Sequence, residues 1–231
     1  NFDPRSGFPM SITASIPLIP GNGVGNHIKL MKEVDAKLVA EVFRNYLIKN
    51  QAVLGIDVNQ LGPVKATKIT DRLWNVNIPQ QVNGVPVRWS HFTAVINSGN
   101  IILQGAASWG NVKIDTNPNI SAAQAMDLGF QYAGGKLSQD LIWKKPALEI
   151  IPISPNNFSI ENFSGQIGSG YGHRLAWVFG FQRAPENSRW EVVVDAHTSE
   201  VIAFEDKNSY IDKQITGGAY PLTNTEICPD N

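Results

Sequence analysis

Between residues 35 and 107 the apolar residues change period, and that change limits the folds open to the chain. In "DAKLVAEVFRNYLIKNQAVLG" (Asp35–Gly55), Leu38, Val39, Val42, Phe43, Tyr46 and Leu47 recur at three- and four-residue steps. Such spacing lays one apolar stripe along an amphipathic helix. Gly55 supplies the stop signal. From Thr67 onward the period is two. "DRLWNVNIPQQVNGVPVRWSHFTAVINSGNIILQGAAS" reads as strand, turn, strand, turn, strand, with Asn83-Gly84 and Ser98-Gly99 as hairpin signals. The alternation implies antiparallel pairing with one wet face.

The same order follows again. "NPNISAAQAMDLGFQYAGG" predicts a second helix, with Ser121 as N-cap, Gln124 completing a capping box and Gly134-Gly135 ending it. "ALEIIPIS", "HRLAWVFGFQR", "SRWEVVVDA" and "EVIAFED" are further strands. Helices stand in separate blocks from antiparallel strands, so the fold class is α+β. Two subdomains are expected, each a helix packed on an antiparallel sheet, with the boundary between Asn111 and Ser121. The halves share too little identity to count as a repeat. Residues 1–29, with "PRSGFP" and "PLIPGNGVGN", lack helical period and are expected to wrap a surface as an arm.

Composition excludes several classes of function. The 231 residues are 42% hydrophobic and 17% charged, as in a globular protein with a sizeable core. The formal net charge of −1 gives no basic excess for nucleic acid. No apolar run approaches the roughly 18 residues of a membrane span. Cys228 is the single cysteine, so it is either free or paired beyond Asn231. A start at Asn1 and the segment "TNTEICPDN" fit a piece of a longer, processed precursor. The sequons at Asn119, Asn157 and Asn162 fit a secreted eukaryotic protein.

Candidates for chemistry are few. His27, His91, His173 and His197 are scattered, and neither H-E-x-x-H nor G-x-S-x-G occurs. "GSGYG" (Gly168–Gly172) looks like a phosphate loop but lacks the lysine and the following helix, so it reads as a loop before a strand. The sharpest cluster is Asp195, His197 and Glu200 in "WEVVVDAHTSEVIAFED". It resembles an acid–base or metal site. Yet Trp190, Val192 and Val194 share one strand face and Glu191, Val193 and Asp195 the other. "DAHTSE" then falls at the reversal between two strands, where Asp, Ser and Thr side chains nucleate turns. Of the six tryptophans, Trp89 and Trp109 have polar neighbours and are expected at the surface, where they could line a glycan or peptide groove.

Several segments together resemble a known family. "WNVNIPQQVNGVPVRWSHFTAVINSGNIIL" resembles the fungalysin/thermolysin propeptide domain, whose "Q-x-x-N-G-[IV]-P-V" segment matches Gln80 or Gln81, Asn83, Gly84, Val85, Pro86 and Val87. "ISAAQAMDLG" and "RLAWVFGF…RWEVVVDAHTSEVIAFED" are similar to the PepSY-related C-terminal part of such propeptides, with Ser199 where glycine is usual. The resemblance spans roughly residues 35–210. It implies an arm at 1–29, a propeptide-like unit at 30–113 and a PepSY-like unit at 114–210, each cystatin-like. A junction at 211–231 would lead into a fungalysin-like peptidase.

The function this implies is that of a pro-domain of a secreted zinc metallopeptidase, acting as inhibitor and folding assistant with no catalytic activity of its own. The partner would be the cognate peptidase domain, which would hold the zinc. Gly217, Gly218, Tyr220, Pro221 and Cys228 of the junction are the candidate peptidase contacts. A second expectation is a self-standing secreted module binding glycans or peptides through Trp89 and Trp109. A third is an enzyme built on Asp195, His197 and Glu200.

Overall fold

The structure is a computed structural model that describes residues 1–29, 33–153, 165–184 and 188–208. It is a mixed α+β fold of two helices and nine strands among those residues.

The first sheet is built by strands β1 (Ile12–Pro17), β2 (Lys65–Lys68), β3 (Leu73–Val82), β4 (Val85–Asn97) and β5 (Asn100–Ala107). They pair antiparallel in the order β1-β5-β4-β3-β2. Both hairpin dipeptides adopt the left-handed backbone that tight strand reversal needs, with φ of 50° and 82° at Asn83-Gly84 and 50° and 89° at Ser98-Gly99. Helix α1 (Ala36–Leu54) starts where the Asp35 carboxylate accepts the Leu38 N–H at 2.7 Å and stops at Gly55 with φ 69°. Its buried stripe of Val39, Phe43 and Leu47 meets Trp74, Val76, Ile78, Phe92 and Ile96 of the sheet in one core.

Helix α2 (Ala122–Tyr132) opens with the capping box of Ser121 and Gln124. It lies on the antiparallel sheet of β6 (Leu141–Ile153), β7 (Gly172–Arg183), β8 (Ser188–Asp195) and β9 (Val201–Asp206). Ala125 and Phe130 pack there on Phe179, Phe181, Val192 and Val194. Gly129 faces the sheet so closely that an added Cβ would stand 2.6 Å from the Phe179 ring.

The expectation of purely antiparallel pairing fails at one place. β4 crosses from the first sheet to the second, where Val87 pairs parallel with Ile150. The β3–β4 register breaks between Pro79 and Gln81 to allow the crossing, as strands that change sheets do at bulges. A buried polar network pins the chain segment that follows. Gln80 donates to the Gly110 carbonyl (2.7 Å) and to Gln60 (2.8 Å), and Gln60 exchanges bonds with Val112 at 2.9 and 3.0 Å.

The N-terminal residues are also more than a surface arm. β1 extends the first sheet, Phe8 is fully buried in its core, and Asp3 accepts the Tyr171 hydroxyl at 2.7 Å. No helix among the described residues is long and apolar enough to cross a membrane.

Candidate functional site

Asp195, His197 and Glu200 share one turn, but their side chains go to different partners. Asp195 is buried, and its carboxylate accepts the backbone N–H groups of His197 (2.8 Å) and Thr198 (2.9 Å). His197 Nε2 faces the Asn117 carbonyl at 3.0 Å, so that nitrogen must donate. Glu200 accepts from Arg174 at 2.7 Å. Ser199 sits at φ 68°, the backbone that favours the glycine it replaces in the resembled motif. Among the described residues no group of three His, Cys, Asp or Glu side chains could hold a metal ion. The Asn119 amide donates to the His197 carbonyl at 3.2 Å, and this sequon asparagine is exposed.

The two candidate tryptophans part company. Trp109 is 0% exposed, packed 5.9 Å from the Phe8 ring in the first core, which corrects the expectation of a surface residue. Its polar neighbours in sequence do not shield it because the N-terminal segment lays Phe8 against it. Trp89 is 64% exposed and has φ 62°, a rare backbone for a bulky residue. It stands at the corner where β4 changes sheets, with the Arg88 guanidinium 5.5 Å from its ring centre. Asn157, Asn162, Gly217, Gly218, Tyr220, Pro221 and Cys228 lie outside the described residues.

An ion network that sequence reasoning missed covers the sheet face opposite α2. Arg88 reaches from β4 to Glu149 (2.6 Å) and Glu191 (2.9 Å), and Lys144 bonds the same two carboxylates at 2.9 and 2.8 Å. Burial opposes ionisation of Glu149 and Glu191, and the hydrogen bonds from Arg88 and Lys144 outweigh it, holding both below the usual carboxylate range. The signal was present as single glutamates in the apolar strands "ALEIIPIS" and "RWEVVVD". It could not name partners so far away in sequence.

Beside this network the same face opens into a groove of about 470 Å³. Ile151, Val193, Ile202 and Ala203 line it, with Trp89 at one side and Arg174 and Glu200 on the rim. A smaller cavity of about 240 Å³ lies between Asn111 and the loop before β7, bordered by His173. Burial pushes the His173 imidazole down to about 4.

No protein-family model matches the chain, and no curated protein matches it. Among solved structures, the Bacillus megaterium YpeB C-terminal domain aligns at 13% identity over 88% of this chain and 74% of its own, with a TM-score of 0.34. A superposition that loose bears on neither activity nor partner.

Proposed function

We propose that the chain is a non-catalytic pro-domain of a secreted zinc metallopeptidase, acting as its inhibitor and folding assistant. The carrying observation is that Asp195, His197 and Glu200 share a turn but form no joint site: Asp195 accepts the turn's own N–H groups, His197 donates to Asn117 and Glu200 pairs with Arg174. A general base acts with partners that converge on one reacting atom, and these three side chains face three different partners. What the fold presents instead is sheet surface. In this reading the two helix-on-sheet halves are the cystatin-like and PepSY-like units of the resembled propeptides, and the zinc belongs to the peptidase. A partner that binds only the folded peptidase stabilises it by mass action, which is how such a domain assists folding.

The test has two parts. Sequencing the coding region past Asn231 should reveal H-E-x-x-H; an early stop codon would sink the precursor reading. Denatured peptidase domain should then regain activity on dilution in the presence of the chain and fail to do so without it.

Exposure of Trp89 favours a second reading, a secreted module that stacks glycans or peptides on that ring. A glycan and peptide array decides it. Binding abolished by Trp89→Ala supports the module, and binding indifferent to that change removes it. Trp109→Ala reports only on folding, because Trp109 is core.

A further inference from the structure

The cavity between Asn111 and the loop before β7 borders two polar atoms that the fold leaves unmet. Asn111 Oδ1 and His173 Nε2 are buried and find no hydrogen-bond partner among the described residues. Both residues line the same space of about 240 Å³. Native folds pair nearly all such atoms, because an unpaired one costs stability. The Asn111 amide is held in place: its Nδ2 donates to the Gly55 carbonyl at 3.3 Å, which leaves Oδ1 as the free acceptor. Burial keeps the His173 imidazole neutral near pH 7, so Nε2 accepts or donates according to tautomer. A hydroxyl does both and suits either state.

The walls are set before any ligand arrives. The Asn111 N–H donates to the Gly168 carbonyl at 2.8 Å, the Gly168 N–H to the Ser6 carbonyl at 2.9 Å, and the Tyr171 hydroxyl to Asp3 at 2.7 Å. These bonds pin the loop, so binding costs little ordering. Gly168, at φ 85°, lets the loop approach this closely; a Cβ there would stand 2.6 Å from Asn111 Nδ2. Ile114 and Ile167 add apolar wall for a carbon skeleton. Charge narrows the class further. Lys113 lines the cavity, is exposed and forms no ion pair among the described residues, and no Asp or Glu lines the space with it. An anionic group gains from that amine. A cationic group would lose hydration and find no counter-charge, which disfavours amino acids. The space is smaller than a drug-sized pocket, so one compact molecule fills it. We propose that this cavity binds a small hydroxylated carboxylate of sugar-acid size, its carboxylate at Lys113 and its hydroxyls at Asn111 and His173. The site is separate from the Asp195–His197–Glu200 turn and independent of the pro-domain reading.

Galacturonate is the probe. Added to the isotope-labelled 231-residue chain, it should shift the amide signals of Asn111, Gly168 and Ser169 saturably and leave those of Gly99 and Gly129 unmoved. Lys113→Ala changes an exposed side chain and keeps the fold. It should weaken galacturonate about fivefold, the upper worth of one exposed ion pair, and leave galactose unaffected. Galactose, which lacks the carboxylate, should bind the parent chain more weakly by the same factor. Asn111→Ala should weaken both sugars alike, with a dispersed spectrum showing that the chain is folded. Absence of saturable shifts with galacturonate at tens of millimolar overturns the proposal. So do equal shifts with serine, which would mean that an ammonium is tolerated. Equal shifts with inorganic phosphate, which would make this a site for any anion, overturn it too. Galacturonate binding untouched by Lys113→Ala overturns the placement of the carboxylate. No peptidase is in the sample, so each of these failures leaves the pro-domain reading where it stood.

Discussion

At the residue scale, side chains of one type take opposite roles according to backbone and burial. Trp109→Ala removes a fully buried ring and should cost about 3–5 kcal/mol in chemical denaturation. Trp89→Gly loses a partly exposed ring and relieves a left-handed backbone. The two effects oppose each other, so its stability should stay within about 1 kcal/mol of the parent. Ser199, at φ 68°, gives the plainest case of strain. Ser199→Gly should raise stability by about 0.5–1 kcal/mol, seen as a higher melting temperature, and a drop would show that the Ser side chain holds the turn. The sequence placed both tryptophans at the surface because their neighbours are polar. That local rule holds for Trp89. It fails for Trp109 because the covering group, Phe8, lies far away in sequence.

At the scale of elements, local periodicity carried most of the information. The α1 stripe, the capping box of α2 and both hairpin dipeptides are formed as their residues require. β1 and β2 were not readable: one lies among Pro and Gly residues, and the other is only four residues long. The parallel step of β4 onto β6 rests on Val87 and Ile150 alone, and no local pattern announces a pairing so distant in the chain. Gly129 shows what helix propensity cannot. Alanine is the better helix former by about 1 kcal/mol, yet its Cβ would press on Phe179 and Val192. Gly129→Ala should therefore destabilise the protein by about 1–3 kcal/mol in urea titration. A gain would mean that α2 can lift off its sheet without cost.

Over the whole molecule, charge ties β4 to β6 and β8. Arg88 on β4 binds Glu149 and Glu191 on the second sheet, so the network bridges the place where one sheet passes into the other. Removing Glu149 leaves Arg88 and Lys144 to share the single carboxylate of Glu191, one positive charge in excess at a half-buried site. Glu149→Gln should cost about 2–4 kcal/mol, at the low end for a buried pair because water reaches its edge. A neutral result would mean that Glu191 holds both cations by itself. Acid should weaken the fold in two windows. His173 is depressed to about 4 in the folded chain, so the unfolded state binds the extra proton first. Its contribution is complete above about 6.5, the ordinary histidine value, and fades as pH falls towards 4. Glu149 and Glu191 are depressed too, so theirs is complete above the usual carboxylate range and fades below it. His173→Gln should flatten the first window of a stability-versus-pH curve and leave the second in place.

The proposed pro-domain would bind and restrain a peptidase without chemistry of its own. The direct measurement is the activity of the zinc metallopeptidase that the proposal places downstream of Asn231, titrated with the purified chain. Inhibition should saturate near one chain per enzyme and survive His197→Ala, which removes an imidazole that meets the Asn117 carbonyl. Full peptidase activity with the chain in large excess would contradict it.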